Sequence, residues 1–162
     1  MSTKTEQYVL GYYELAKKAG EKYGIDPLII LSQGAFESAW GTSTLAKKHN
    51  NFFGITAAGK VNEFWKGASV NANPKYNLVF RVYATAQDSF YDFARLIATS
   101  YKSAKAAGTD YKLYAQRISQ SPYISEKNGD DRNAYMRGII SIYENILSIA
   151  KKKALLPKIP SD

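Results

Sequence analysis

One apolar helix that carries a single carboxylate is the feature that most constrains this chain. Asp26 is a good helix N-cap, and Pro27 suits the first helical position. Residues 28–31 read Leu-Ile-Ile-Leu, so the helix is apolar on every side and is predicted to be central and buried. Gly41 is predicted to end it, because glycine readily adopts the left-handed conformation found at helix ends.

Glu37 lies near the end of this predicted helix, between Phe36 and Trp40. A buried carboxylate costs free energy unless it has a partner, and an apolar environment raises its pKa. A carboxyl group that is still protonated near neutral pH can act as a general acid. Glu37 is therefore our candidate acid. The alternative is an ion-paired or solvent-facing residue at a helix end.

The remaining pattern predicts a mainly helical domain (class α+β) with one small β-hairpin. Apolar residues at helical spacing predict further helices at about residues 5–23, 42–47, 85–97, 109–118 and 136–150, capped where a cap is visible by Thr42, Thr85 and Thr109. Residues 56–84 predict the hairpin: Phe64-Trp65 and 78–83 are rich in strand formers, and the stretch 71–77 between them is dense in turn formers. We expect a cleft between the helical body and this hairpin lobe.

Composition excludes several kinds of site. The chain has no cysteine and only one histidine, His49, which excludes disulfides, thiolate metal sites and multi-histidine metal sites. No acidic loop resembles a calcium site, so we expect neither a metal nor an organic cofactor. The net charge of +8 favours an anionic partner such as a cell wall, a membrane surface or nucleic acid. A soluble surface with a basic end is the alternative.

Two motifs carry a resemblance to a known family. The stretches Phe36-Glu37-Ser38-Ala39-Trp40-Gly41 and Asn50-Asn51-Phe52-Phe53-Gly54-Ile55 resemble the Glu-Ser-x-Trp-Gly and Asn-Asn-Leu-Phe-Gly-Ile motifs of bacterial cell-wall N-acetylglucosaminidases of the flagellar and autolysin type, glycoside hydrolase family 73. Weaker matches follow in the same order at Phe80-Arg81-Val82-Tyr83, Asp88-Ser89 and Tyr123. The resemblance implies a lysozyme-like fold and cleavage of peptidoglycan glycan strands after N-acetylglucosamine.

The resemblance also implies roles for individual residues. Glu37 would be the general acid, and Tyr123 would steer the intermediate or hold the substrate N-acetyl group. The family context Tyr-Ala-Thr-Asp reads Tyr123-Ile124-Ser125-Glu126 here, which keeps only the tyrosine. The candidate sugar contacts are Asn51, Phe53, Trp65 and Tyr83, and simple packing is the alternative for Phe53.

The second catalytic group of the family lacks a matching residue. The family often has Thr-x-Glu after Trp-x-Gly, whereas here Trp65-Lys66-Gly67 is followed by Asn71-Ala72-Asn73. Glu63 is the only acidic residue between Glu37 and Asp88, so we take it as a candidate general base, with an exposed strand residue as the alternative. If Glu63 is not the base, the substrate N-acetyl oxygen could be the nucleophile. Internal attack by a muramic acid hydroxyl, as in lytic transglycosylases, is the other route.

The predicted function is therefore an endo-β-N-acetylglucosaminidase that acts on peptidoglycan. Three alternatives stay open: a lytic transglycosylase or muramidase on the same fold, an inactive peptidoglycan-binding module, and a basic nucleic-acid binder. The last has no recognition motif and no dense basic helix outside the tail. We expect a monomer that does not bind nucleic acid, and the sequence indicates neither an immunity partner nor a secretion partner.

The ends of the chain bear on localisation and domain organisation. The first residues are polar, and no apolar run is long enough to span a membrane, so no signal peptide and no membrane insertion are predicted. A protein made in the cytoplasm would then reach the cell wall by non-classical export, by phage-type release or with a leader absent from this sequence. One domain over residues 1–150 and a basic tail over 151–162 are expected.

Overall fold

A computed structural model describes residues 2–125 and 129–157 of the chain. The predicted loop residues 126–128 and the last tail residues, 158–162, lie outside the described residues. The helices are α1 (Lys4–Tyr23), α2 (Pro27–Ser38), α3 (Thr44–His49), α4 (Ala86–Ser100), α5 (Lys102–Lys105), α6 (Tyr111–Ser119) and α7 (Arg132–Lys152), and the strands are β1 (Ser69–Asn73) and β2 (Leu78–Arg81). This arrangement confirms the predicted helical body with a small hairpin.

Helix α2 is the centre of the body, as its sequence predicts. The carboxylate of Asp26 accepts the backbone N–H of Leu28 at 2.9 Å, and Pro27 opens the helix. Residues 28–35 are all buried, because α1 and α7 pack on α2. A helix enclosed in this way has no polar face, which explains its uniformly apolar start.

The end of α2 differs from the prediction. The helix ends at Ser38, and the next three residues, Ala39, Trp40 and Gly41, all have positive φ angles of 50°, 59° and 77°. The Ser38 hydroxyl accepts the Gly41 backbone N–H at 2.8 Å and holds this turn. Two non-glycine residues in the left-handed region are uncommon, so local side-chain bonding ends the helix earlier than glycine alone would.

Capping was predicted correctly for α2 and α4 and missed by one residue for α3 and α6. Thr85 caps α4 by accepting the Asp88 backbone N–H at 3.1 Å. Ser43, and not Thr42, caps α3, and Asp110, and not Thr109, caps α6. In both cases the neighbouring residue is also a capping type, so the sequence signal does not separate the two.

The hairpin is placed later than predicted. Strands β1 and β2 pair antiparallel, with Val70 opposite Phe80, so part of the expected turn is strand. Phe64 and Trp65 lie outside the hairpin. Trp65 is buried because its indole Nε1 donates to the Ala68 carbonyl at 2.8 Å and the guanidinium of Arg81 lies 4.0 Å from its ring centre.

A fully buried aspartate fastens the hairpin lobe to the helical body. Asp92 on α4 accepts bonds at 2.5–2.9 Å from Tyr83 and Arg81 of the lobe side, from Asn62, and from Arg95 one turn along α4. Four donors satisfy a charge that would otherwise be costly to bury. The lobe is therefore held in a fixed position against α4.

The C-terminal residues pack on the body as far as they are described. Helix α7 continues to Lys152, beyond the expected boundary at 150. Leu155 and Leu156 pack against the core, and Lys152 and Lys153 lie 3.8 and 3.2 Å from the carboxylate of Glu6. Within the described residues, no helix is long and apolar enough to cross a membrane.

Candidate active site

A cleft of about 610 Å³ lies between the helical body and the hairpin lobe, as predicted. Its floor is formed by Phe36 and Glu37 of α2 and by the loop 53–56, while the hairpin forms one wall. The opposite wall is the segment 122–125 that follows α6. Large aromatic side chains therefore surround one carboxyl group, and sugar-binding clefts commonly have such walls because a ring offers an apolar face with polar edges.

The Glu37 carboxyl group has a strongly raised pKa. Burial in the cleft raises the pKa to about 7, because the charged form loses water. A hydrogen bond from Tyr135 lowers the pKa, and the nearby negative charge of Asp130 raises it, but burial is the largest cause. Glu37 therefore carries its proton over the acidic range up to neutral pH, as a general acid requires.

A chain of hydrogen bonds among buried side chains leads to Glu37. The Tyr114 hydroxyl donates to the Gln33 carbonyl oxygen, and the Gln33 amide donates to the Tyr135 oxygen at 3.1 Å. Gln33 lies one helical turn before Glu37 and therefore on the same face of α2. This chain orients Tyr135, whose hydroxyl group lowers the pKa of the Glu37 carboxyl group.

The loop after α3 closes the other side of Glu37. Gly54 has a φ of 63°, and a Cβ at this position would lie 3.2 Å from the Glu37 Oε2 atom. Asn51 shapes this loop: its side chain donates to the carbonyls of Ile55 and Arg81 at 3.0 Å and accepts the N–H groups of Phe53 and Ile55. The loop backbone can thus approach the carboxylate and shield it from water.

Tyr123 lines the cleft beside the acid. Its hydroxyl donates to the Phe53 carbonyl at 3.5 Å, and its ring packs edge-on against Tyr101 and Phe93. Burial raises the pKa of Tyr123 well above its usual range, and the charge of Glu37 adds to the effect. The phenol is therefore neutral, and while its proton is donated to Phe53 its oxygen can accept a hydrogen bond in the cleft.

Comparison with known proteins decides the family. The glucosaminidase family, described as mannosyl-glycoprotein endo-beta-N-acetylglucosaminidase, matches residues 13–148. The chain belongs to the glucosaminidase family.

Two relatives match most of this chain. The peptidoglycan hydrolase FlgJ of Vibrio parahaemolyticus is 27% identical over 141 residues, which cover 78% of this chain and 44% of that protein. The exo-glucosaminidase LytG of Bacillus subtilis is 32% identical over 126 residues, which cover 69% of this chain and 43% of LytG. This glucosaminidase-family chain spans less than half the length of these two relatives.

A solved structure shows the same fold. The glycoside hydrolase domain of Salmonella typhimurium FlgJ superimposes with a TM-score of 0.69 at 21% identity and covers 95% of this chain and 94% of that domain. The predicted lysozyme-like glucosaminidase fold is thereby confirmed.

The structure brings three of the predicted site residues together. Glu37, Phe53 and Tyr123 all line the glucosaminidase cleft. Phe53 is almost fully buried and stacks on Phe93 with ring centres 4.1 Å apart, so only its edge reaches the cleft. Both interpretations of Phe53, wall and packing, describe part of its surroundings.

The other predicted site residues lie elsewhere. Asn51 is buried behind the loop that it shapes, and Trp65 and Tyr83 are buried in contact with Arg81 and Asp92 respectively. None of these three is among the residues that line the cleft. Their polar atoms bond to the backbone and to Asp92, and this geometry favours packing as their role.

Glu63 also lies away from the cleft. Its side chain is 63% exposed and lies 3.8 Å from the ammonium group of Lys22 on α1. The structure therefore does not support Glu63 as the general base, since a base must reach a water molecule beside the scissile bond. The alternative for Glu63, an exposed residue without a catalytic role, matches its surroundings.

Sequence reasoning missed Tyr135, Gln33 and Asp130. Tyr135 precedes Ile139 and Tyr143 at four-residue intervals along α7, so helical spacing could have found it, but the predicted helix began at residue 136. Gln33 precedes Glu37 by four residues and could have been found in the same way. Asp130 lines the cleft from the segment before α7, and no local pattern marks it.

Proposed function

We propose that this domain is an endo-β-N-acetylglucosaminidase that cuts peptidoglycan glycan strands, with Glu37 as general acid. The observation that carries the proposal is a single carboxyl group with a pKa of about 7 on the floor of an aromatic cleft. Membership of the glucosaminidase family supports this reaction class. The names of the relatives, a peptidoglycan hydrolase and an exo-glucosaminidase, support hydrolysis of peptidoglycan glycan at N-acetylglucosamine, and we infer that the domain acts at the cell wall.

The first step is proton transfer from Glu37 to the glycosidic oxygen. The bond between this oxygen and the anomeric carbon breaks, and positive charge develops on the sugar ring. Glu37 is then an anion, which the Tyr135 hydroxyl stabilises through its hydrogen bond. The shielded position of Glu37 keeps the proton available at neutral pH and aims it at the substrate.

The second step needs a nucleophile, and we propose the substrate's own N-acetyl oxygen. This oxygen attacks the anomeric carbon as the leaving sugar departs, which forms a ring that water then opens. Glu37 takes a proton from that water and is ready for another cycle. Tyr123 lines the same cleft with a neutral hydroxyl and would orient the N-acetyl group.

Asp130 is the alternative source of the second group. Among the described residues, it is the only carboxylate besides Glu37 that lines the cleft. It is exposed to solvent, so it could activate a water molecule instead of leaving this task to the substrate. The substrate-assisted route and the Asp130 route predict different effects on kcat when the Asp130 carboxylate is removed.

The test is digestion of purified peptidoglycan followed by borohydride reduction and mass spectrometry. Wild type, Glu37→Gln and Glu63→Gln are compared, because Glu63 is a carboxylate outside the cleft and so serves as a matched control. We expect new reducing-end N-acetylglucosamine with wild type and Glu63→Gln and none with Glu37→Gln. Unchanged circular dichroism of Glu37→Gln would show that the loss is chemical.

Other products would change the conclusion. Reducing-end N-acetylmuramic acid would indicate a muramidase, and anhydro-muramyl ends would indicate a lytic transglycosylase. Intact glycan that still retains the folded wild-type protein would contradict hydrolysis and leave a peptidoglycan-binding module.

A further inference from the structure

A second cavity of about 470 Å³ adjoins the cleft, and we call it the side groove. The two share part of their lining, namely Ile55, Thr56, Leu96 and Tyr101. A ligand that enters the cleft can therefore continue into the side groove without leaving the protein surface.

The side groove is positively charged. Its lining contains Arg81, Arg95 and Lys60, and among the described residues it contains no carboxylate. The charge of Arg81 is balanced by the buried Asp92, which it contacts at 2.8 Å. Arg95 and Lys60 then provide excess positive charge at the groove surface.

Arg95 and Lys60 have donors to offer a ligand. The Nε atom of Arg95 donates to Asp92 at 2.9 Å, which fixes the guanidinium group, and within the described residues its terminal nitrogens make no other bond. Lys60 is exposed on the loop after Gly59, and no carboxylate of the described residues lies within ion-pair distance of it. An oriented guanidinium group beside a free ammonium group suits a carboxylate ligand.

The rim of the side groove adds an apolar contact. Val61 is 62% exposed, so its methyl groups are open to contact by a ligand. It lies directly beside Lys60 in the lining of the groove. The groove therefore offers contacts to a ligand that carries both carboxylates and methyl groups.

We propose that the side groove binds the peptide stem attached to the muramic acid next to the scissile bond. This inference rests on the proposed function, in which the cleft holds the sugars. Each muramic acid carries a short peptide with free carboxylates and alanine methyl groups, and the peptide leaves the strand sideways. Arg95 and Lys60 contact the carboxylates, and Val61 contacts the methyl groups.

The experiment measures binding to the inactive variant Glu37→Gln. The probes are soluble glycan fragments of equal length, either with intact stems or with the stems removed by an amidase. Lys60→Gln and Arg95→Gln are added separately, and Lys18→Gln on the outer face of α1 is the charge-matched control. Dissociation constants are measured by calorimetry at low salt and at about 1 M salt, where the Debye length falls to about 3 Å.

The stem-bearing fragment is expected to bind about tenfold more tightly at low salt, as for charge-assisted hydrogen bonds. Lys60→Gln should reduce this advantage about threefold, the size of an exposed ion pair, and Arg95→Gln should reduce it further. High salt should remove most of the advantage, while Lys18→Gln should leave it unchanged. If Arg95→Gln does not fold, Lys60→Gln alone tests the inference, because an exposed lysine can be replaced without disturbing the fold.

Equal affinities for the two fragments, or equal effects of Lys18→Gln and Lys60→Gln, would overturn the inference. If, in that case, the stem-free fragment still binds and wild type still cleaves it, the proposed function holds and only the inference about the side groove fails. If neither fragment is bound or cleaved, the proposed function fails and this inference fails with it.

Discussion

The Gln33 amide donates a hydrogen bond to the phenolic oxygen of Tyr135 at 3.1 Å and so joins the helix of Glu37 to α7. Because Tyr135 accepts this bond, its own hydrogen is available for Glu37. The orientation of Gln33 is set in turn by Tyr114, which donates to its carbonyl oxygen. The direction of each bond in this chain therefore favours donation to the Glu37 carboxylate.

Removal of the Tyr135 hydroxyl should raise the pKa of Glu37 further. The bond from Tyr135 lowers this pKa, so Tyr135→Phe should move the alkaline limb of the kcat/KM profile from about pH 7 to higher pH. It should also destabilise the fold by about 1 kcal/mol, because Gln33 loses its partner. The measurement is kcat/KM against pH.

Tyr143→Phe is the control for this change. Tyr143 also lies on α7, but its hydroxyl bonds to Asp26 at 2.8 Å, at the opposite end of α2 from Glu37. Its loss should leave the alkaline limb in place. An equal shift in both variants would mean that α7 packing, and not the bond to Glu37, sets the profile.

Glu37 should make the wild type less stable as pH rises. Its pKa is about 7 in the folded chain and near the ordinary 4.5 when unfolded, so the folded state binds more protons between these values. Stability is therefore full below about pH 4.5 and falls by up to about 3 kcal/mol as pH rises through 7. Glu37→Gln should not show this decline.

The measurement is urea unfolding of wild type and Glu37→Gln at pH 5 and pH 8. The variant should be the more stable protein at pH 8, and the difference should shrink at pH 5. Glu14→Gln on the exposed face of α1 is the control and should follow the wild type. A parallel pH dependence in wild type and Glu37→Gln would contradict the raised pKa.

Asp130→Asn should move the alkaline limb to lower pH. The negative charge of Asp130 raises the pKa of Glu37, so its removal lowers that pKa. If the substrate N-acetyl oxygen is the nucleophile, kcat on the acidic plateau should change little, with exposed Glu21→Gln as the control. A fall in kcat of about a hundredfold or more would instead make Asp130 the general base.

Gly54→Ala should reduce activity more than its backbone strain explains. A Cβ at Gly54 would lie 3.2 Å from the Glu37 Oε2 atom and displace the carboxyl group. Gly108 has the same φ of 63°, but a Cβ there would have nothing within 4 Å, so Gly108→Ala isolates the strain. Both variants should lose about 1 kcal/mol of stability, and only Gly54→Ala should lose kcat. Equal kcat values would show that the carboxyl group tolerates the contact.

Substitution of Tyr83 should affect stability, whereas substitution of Tyr76 should affect KM. Tyr83 is buried and donates to Asp92 at 2.5 Å, so Tyr83→Phe should lower the free energy of unfolding by about 1–2 kcal/mol and leave KM unchanged. Tyr76 is 50% exposed and lines the cleft, so Tyr76→Ala should raise KM with little effect on stability. Thermal unfolding and KM on peptidoglycan separate the two. A raised KM in Tyr83→Phe would restore it as a sugar contact.

The local parts of the fold were predictable because they depend on neighbours in sequence. Asp26 and Pro27 predicted the start of α2, and the apolar run after them predicted its burial. Thr85 predicted the start of α4. The errors at α3 and α6 are single-residue shifts between adjacent capping types. These features need only helix geometry and capping chemistry.

The predicted site residues that lie outside the cleft were chosen from local sequence alone. Trp65 and Tyr83 are aromatic residues with a polar edge, a composition that suits a sugar platform and a buried contact equally well. Their assignment to packing depends on Arg81 and Asp92, which meet them only in three dimensions. Glu63 was chosen by its position along the chain, and that position lies on the outside of the fold.

The sequence by itself determined the buried helix, the family motifs and Glu37 as the candidate acid, since each depends on residues a few positions apart. Only the tertiary structure decided what surrounds that acid. Tyr135 and Asp130 are about a hundred residues from Glu37 in the chain, yet the first lowers the pKa of its carboxyl group and the second raises it. The pKa of a carboxyl group depends on burial and on nearby charges in space, and spacing along the sequence does not contain that information.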